Sequence, residues 1–494
     1  MKSKLSYILV GAFMLTASSC GNDWLDLEPS TYTPTDNSIN YMSDVNFALN
    51  GVYSNMQNAY AYSGRFVYYG DVTGDDMQAY SSTKRSGDYY TFSYTKDTAP
   101  SSFWSYGYNM IALCNQILTK IDDIDDEGET ELKSYYKGQA LALRAMILFD
   151  LTRIYGYPYK KDNGASLGVP IVTTLLDKDA KPSRNTVAEC YDAIIADLEA
   201  AITAMDNDEG QSYYKGHINL YGVRSLLSRV YLYHGDNQKA YDMAVAAIDG
   251  AEGEGYVLWT NAEYPTAWSN DASSSNKGEV LFEIVNTTDD SPGKEALGYL
   301  HSTSGYRDII VTSSFYSMLT EDEDDVRTQL FTFYSKRAFV YKYQPQEGEE
   351  ITDANIPLLR LSETYLNAAE AAVKLGDNTN AVKYLNAIVN RANPNNTVDE
   401  STTVTLEQVM TERRKELVGE GHRMFDALRD GGYVYRHNVS SSKVSSTKHL
   451  TMSDEKMNFN WDYFKCVLPI PKDEMDANPN MEQNPGYSSE SSDE

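Results

Sequence analysis

The sequence predicts an all-α, mainly helical chain in which tetratricopeptide-like helix pairs form a scaffold carrying long irregular loops and minor β structure. Three observations carry this expectation: a two-helix pattern that occurs twice with the same Gly-Asp break, further segments with the same period, and long Tyr-rich stretches with no helical period.

In chain order, the first element is an export leader. Lys2 and Lys4 precede an apolar run from Leu5 to Ala17, so residues 1–19 read as a secretory signal peptide. The run is too short for a membrane span, which takes about 20 apolar residues. Ala17, Ser18 and Ser19 before Cys20 fit a bacterial lipobox, with Ala17 where Leu or Val is usual. Cys20 is therefore the expected lipidation site, ordinary cleavage with a free thiol being the alternative. Residues 21–35 would form a short tether.

The helix pairs follow. The stretches 219–249 and 358–393 each read as two helices joined at Gly-Asp. In the second, Leu358, Leu361, Tyr365, Ala368, Ala369 and Ala372 recur at helical spacing; after Gly376 and Asp377, so do Ala381, Leu385, Ile388 and Ala392. Glycine takes the left-handed geometry that ends a helix, and aspartate caps the next. Such units stack because one pair cannot bury its own apolar face, so two clear copies predict more. Further pairs are expected at about 138–202, with the loop 157–185 between its helices, and at about 406–431, where Gly419 and Gly421 break the period.

Two stretches, about 60–100 and 250–350, have no helical period and are rich in Tyr, Ser, Gly, Asp and Thr. Loops this long are functional or disordered, and their aromatic content argues against disorder. Ligand binding is expected there, on one domain spanning residues 20–487, with a disordered tail at 488–494.

Charge and composition narrow the partners. The formal net charge is −29, and loss of Lys2 and Lys4 with the leader leaves 40 basic against 71 acidic residues, or −31. Such a field disfavours nucleic acid and anionic lipid. The 40 tyrosines offer flat apolar faces with a hydroxyl, which suits sugar rings and wet interfaces. Cys114, Cys190 and Cys466 lack CxxC spacing and read as buried small hydrophobes, one disulfide being the alternative.

Several segments in order resemble the SusD/RagB family of Bacteroidetes surface lipoproteins: Cys20, DWLDLEP (23–29), FALNGVYSNM (47–56), FWSYGYNMIALCNQIL (103–118), GQALALRAMILFDLTRIYG (138–156), GVPIVT (168–173), the repeat at 219–249, PLLRLSETYLNAAEA (357–371), ERRKELVGEGHRMFDALR (412–429) and LPIPKDEMDANPNMEQNPGY (468–487). Residues 250–350 match only in outline, through Asp325–Arg327 and YKY at 341–343. The resemblance implies an α-rich domain that binds oligosaccharide or polysaccharide at the outer-membrane surface, is held by a lipid anchor only, and associates with a SusC-like TonB-dependent transporter.

In the first long loop, Asp75, Asp76, Tyr80, Arg85 and Tyr89 are the expected ligand-binding residues, since sugar recognition mixes aromatic faces with carboxylates and guanidiniums. In the second, Tyr264, Trp268, Tyr306 and Arg307 are the candidates, whereas Trp104 reads as packing. Glu416 and Glu420, one turn apart, could form an acid and base pair, but Arg413, Arg414 and Arg423 nearby point to structural ion pairs and ionised carboxylates. The acidic runs 122–131 and 321–325 lack calcium-loop spacing and read as solvated loops. None of the six histidines has metal-site spacing, and no catalytic or phosphate-binding motif is present, so neither metal, cofactor nor enzyme activity is expected. Peptide cargo on the same fold is the alternative function, and a surface glycosidase a more distant one.

Overall fold

The computed structural model describes residues 39–207, 214–269, 272 and 277–487; the expected leader, Cys20 and the tail 488–494 lie outside the described residues. Among the described residues nine helices have twelve or more residues: α1 (Met42–Met56), α2 (Ser102–Lys120), α3 (Thr130–Tyr155), α4 (Val187–Met205), α5 (Leu220–His234), α6 (Asn237–Gly253), α7 (Leu361–Leu375), α8 (Asn378–Ala392) and α9 (Leu406–Leu417). From α1 to α8 each packs on the next in chain order, which makes the stack that the repeats predict. The mainly helical fold class holds.

Local chemistry sets the breaks. Gly235 and Gly376, at φ of +98° and +76°, end α5 and α7 in the left-handed region that only glycine enters without penalty. Asp236 and Asp377 then accept the Lys239 and Asn380 backbone N–H groups at 3.2 and 3.1 Å, capping α6 and α8. Thr186 with Glu189, and Thr405 with Gln408, form capping boxes on α4 and α9. Ala368, Ala369, Ala371 and Ala372 are fully buried, so α7 admits α5, α6, α8 and α9 at close range. The helix α3 begins at Thr130, ahead of the expected 138, because its first two turns (TELKSYYK) are too polar to show the period.

Two excursions leave the stack, residues 57–101 and 254–360. Among the described residues the eight strands are β1 (Met77–Ala79), β2 (Val280–Ile284), β3 (Ile309–Val311), β4 (Phe331–Tyr334), β5 (Arg337–Val340), β6 (Ile356–Arg360), β7 (Val434–Tyr435) and β8 (Asn458–Phe459). Antiparallel pairing of β2 with β6 closes the second excursion at its base, and pairing of β1 with β3 ties the two excursions together. At the C-terminal end, Gly421 at φ +86° lies so close to the short helix Arg65–Val72 that a Cβ there would sit 2.6 Å from the Val67 carbonyl oxygen.

Buried ion pairs clamp the base of the second excursion to α9. Arg360, 1% exposed, donates to Glu279, to Glu416 at 3.2 Å and to Glu420 at 2.7 and 2.8 Å. Arg327 and Arg391 reach the other Glu416 oxygen at 3.3 and 2.7 Å, and Lys342 bonds Glu420 at 2.6 Å. The expected ion-pair role of Glu416 and Glu420 therefore holds with different partners. Arg413 pairs with Asp426 and Glu363, Arg414 with Asp76, and Arg423 with Asp75 and Asp76.

Cys114, Cys190 and Cys466 are buried free thiols, the reading without a bridge. Among the described residues no group of three or more His, Cys, Asp or Glu is placed to hold a metal ion, and no helix is long and apolar enough to cross a membrane. In the first acidic run Asp126 closes its own turn, accepting from Gly128 N–H and Thr130 Oγ1, while Asp325 of the second is spent on Arg327.

The titration of these buried groups predicts acid sensitivity. Burial by itself would raise Glu363, Glu370 and Glu416, but Arg229, Arg429 and Arg391 respectively outweigh it and hold all three below the glutamate range. Burial lowers His301 and His422 to about 3. Every one of these groups takes up a proton more readily in the unfolded chain, so the stability present at neutral pH is lost as pH falls. By scanning calorimetry Tm should begin to fall as pH drops through about 6.5 and fall more steeply below about 4.5. A Tm unchanged between pH 7 and pH 4 would contradict the buried network.

Candidate functional site

The strand pair β1–β3 creates the site by placing the chain that leaves β1 beside the chain that enters β3. Ala79 opposes Ile309, and the ladder continues with Tyr80 N–H donating to the Asp308 carbonyl at 2.8 Å. The Asp308 carboxylate, fully buried, accepts the backbone N–H groups of Arg85 and Ser86 at 3.1 Å and the Ser86 hydroxyl at 2.5 Å. A loop whose N–H groups end on one buried carboxylate is held in one shape, so Arg85 is delivered to a fixed place.

On that frame sits a layer of stacked aromatic and cationic side chains. The Arg85 guanidinium lies 4.0 Å from the centre of the Tyr306 ring and donates in a fork to Glu295 at 2.6 and 2.7 Å. Tyr299 meets Tyr306 edge-on at 5.0 Å, and Lys84 bonds the Tyr306 carbonyl at 2.5 Å. The hairpin β4–β5 lies beside β3 and pairs Tyr334 with Arg337 across its turn. From it, Arg337 covers Tyr80 at 4.7 Å and Tyr334 lies under Arg307 at 4.2 Å. Arg307 adopts a positive φ of 50°, a costly conformation for a residue with a side chain. Ser335 and Lys336, at 47° and 58°, are the two central residues of the β4–β5 turn, where a two-residue hairpin calls for positive φ.

Adjoining this layer is a cleft of about 400 Å³ lined by Ala59, Tyr60, Arg65, Tyr68, Arg85, Glu295 and Leu300. Tyr60, 43% exposed, packs on Tyr106 at 5.7 Å and carries Arg65 over its ring at 4.2 Å. Two other clefts are of similar size, one at the start of α1 and an apolar one beside Leu175 and Leu176, but neither combines stacked rings with fixed cations. Trp104 borders the apolar one and is 8% exposed, packed edge-on against Tyr155, in keeping with a packing role.

Of the nine residues expected to contact ligand, the fold brings Tyr80, Arg85, Tyr306 and Arg307 together at this face. The other five are corrections. Asp75 and Asp76 are interior and ion-paired to Arg423 and Arg414; for Asp75, burial would raise the carboxyl but Arg423 holds it below its usual range. Tyr89, 2% exposed, packs on Tyr69 and Phe103. Tyr264 and Trp268 form an apolar cluster with Trp259, and the Tyr264 hydroxyl donates to Glu416 at 3.0 Å. Arg391 stacks on Tyr264 and Arg360 on Trp268, so both rings wall the buried ion pairs. Sequence reasoning missed Tyr60, Arg65, Glu295, Tyr334 and Arg337, whose only signal was membership of the two non-periodic stretches.

The same buried network bears on catalysis. Burial opposes ionisation of Glu420, but Arg360 and Lys342 more than offset it, so its carboxyl, like that of Glu416, lies low. A general acid needs a raised pKa, which neither has.

Comparison with known proteins gives the following. A family model described as "SusD family" matches residues 255–487, and one described as "Starch-binding associating with outer membrane" matches residues 23–232. A Bacteroides vulgatus protein named as a candidate sugar-binding protein has a crystal structure 61% identical to this chain, covering 91% of it and 100% of its own length with a TM-score of 0.88. A second Bacteroides vulgatus structure, of a SusD superfamily protein, is 38% identical with 91% and 100% coverage and a TM-score of 0.82. A SusD-like protein of Formosa agariphila is 24% identical over 468 residues, 82% of this chain and 87% of that protein.

Proposed function

The chain belongs to the SusD family, and on that premise we propose that it is a non-catalytic glycan-binding protein of the cell surface. It binds oligosaccharide or polysaccharide on the face built by Tyr60, Tyr80, Arg85, Tyr306 and Arg307, all carried by one domain spanning residues 20–487. Acylation at Cys20 holds it to the outer membrane, and a SusC-like TonB-dependent transporter receives the glycan. The starch-binding, outer-membrane-associating family model and the 61% identical sugar-binding relative support sugar as the ligand class and the outer membrane as the location.

The observation that carries the reading is the fixed layer of rings and cations beside an open cleft. Tyrosine faces pack on the apolar faces of pyranoses, while the Arg85–Glu295 pair offers donors and acceptors to hydroxyls without having to be ordered on binding. The local surplus of basic side chains on this face argues against a cationic peptide as cargo. The test is affinity electrophoresis of the mature protein through gels carrying a broad panel of glycans. Retardation by at least one glycan, with no shortened products after incubation, is expected; no retardation by any of them would refute the ligand class, and product formation would refute the non-catalytic role.

A further inference from the structure

Among the described residues, five arginines have no carboxylate within ion-pair distance, Arg65, Arg184, Arg307, Arg337 and Arg436, while every other arginine has one. Arg184 and Arg436 are explained by their surroundings. Both are buried and spend their donors on backbone carbonyls, Arg184 on Gly168 and Leu167, Arg436 on Gly74 and Tyr90. The remaining three are partly exposed, and all three lie on the candidate face.

This distribution runs against the composition. With 71 acidic residues against 42 basic ones, a carboxylate partner is the default for an arginine in this chain. Yet the segments that form the face, 80–88, 294–308 and 334–337, contain six basic residues (Lys84, Arg85, Lys294, Arg307, Lys336, Arg337) against three acidic ones, Asp88, Glu295 and the buried Asp308. Arg65 donates to the Ser102 hydroxyl at 2.7 Å and interacts with the Tyr68 and Tyr89 hydroxyls, none of them a carboxylate, and Arg337 donates to the Ser335 carbonyl at 3.4 Å. Each of the three guanidiniums lies over a tyrosine ring, which holds it flat while leaving its edge of N–H donors for an oxyanion in fork geometry. The −29 charge of the whole chain does not forbid an anion here, because fields from charges more than about 10 Å away are largely screened at physiological salt.

We infer that the ligand is an acidic saccharide, whose carboxylate or sulfate groups pair with Arg65, Arg307 and Arg337 while the exposed parts of Tyr60 and Tyr334 meet its rings. The inference rests on the glycan-binding reading and narrows it to a substrate class. It is tested by calorimetric titration of the mature protein at low and at physiological salt. The ligands are polygalacturonate, alginate and a carrageenan, set against neutral galactan, mannan and agarose and against poly-glutamate. Binding of at least one acidic glycan is expected, weakened roughly tenfold or more by salt and by the double variant Arg307→Gln with Arg337→Gln, while Arg307→Lys with Arg337→Lys, which keeps the charge but not the fork, falls between the wild type and the glutamine variant. The carboxylate and sulfate arms identify the charged group. Neutral glycans bound as tightly as acidic ones, without salt dependence, would overturn the inference and leave glycan binding standing. Equal binding of poly-glutamate would overturn the saccharide part, and silence from every glycan would overturn this inference and the glycan reading together. Thermal unfolding at the wild-type temperature certifies that the glutamine variant is folded.

Discussion

Alanine in place of Tyr60 or Tyr306 is expected to weaken glycan binding by about 2 kcal/mol each, roughly 30-fold, with Tm shifted by only a few degrees. The size follows from what each ring does. Tyr306 supports Arg85 at 4.0 Å and braces Tyr299 at 5.0 Å, so its loss removes a contact surface and also frees the guanidinium that Glu295 orients. Tyr60 is 43% exposed beside the cleft and is held by Tyr106 and Arg65, which makes it a ring already ordered before ligand arrives. Pre-ordered aromatic surface avoids the entropy of immobilising a side chain on binding, which is why such residues dominate interface energetics. Tyr41→Ala serves as the control: that ring is 63% exposed at the start of α1, where it lines a separate cleft, and its removal should leave affinity unchanged. Equal losses from Tyr41→Ala and Tyr306→Ala in the same titration would show that the face has been misplaced.

The largest stability effect is expected at Arg360. Its guanidinium is 1% exposed and serves Glu279, Glu416 and Glu420 while stacking on Trp268 at 4.7 Å. Arg360→Met keeps much of the volume but leaves three carboxylates facing one another with only Arg327, Arg391 and Lys342 to balance them. Removing one partner of a buried ion pair typically costs about 3–5 kcal/mol, because the charges left behind stay desolvated without compensation. Urea unfolding should show a loss of that order. The exposed pair of Arg85 with Glu295 gives the contrast: Arg85→Met should cost less than about 1 kcal/mol of stability, since water already solvates both groups. A loss at Arg360 no larger than that at Arg85 would mean that the clamp between the second excursion and α9 is not a stabilising element.

Much of the scaffold was legible because its signals are local. Helical period and the Gly-Asp breaks at 235–236 and 376–377, with the aspartate caps they carry, act over one or two turns, so neighbouring residues are enough to reveal them. The two long non-periodic stretches were legible as departures from that pattern. Within them, Tyr306 lies at the candidate face and Tyr264 in the interior, although the two tyrosines look alike in sequence. One follows the helix Leu297–His301 at the edge of β3, and the other is drawn inward by Glu416, 152 residues away.

Sequence by itself determined the helix pairs, their breaks, the family and the segments that leave the stack. Only the tertiary structure decided which aromatic and charged side chains meet solvent. That choice depends on the β1–β3 pairing, which joins Met77 to Val311, and on ion pairs such as Arg414 with Asp76, 338 residues apart. A carboxylate or a tyrosine in an irregular segment carries no local mark of its partner, since its burial is favourable only when a distant group satisfies its charge or hydroxyl.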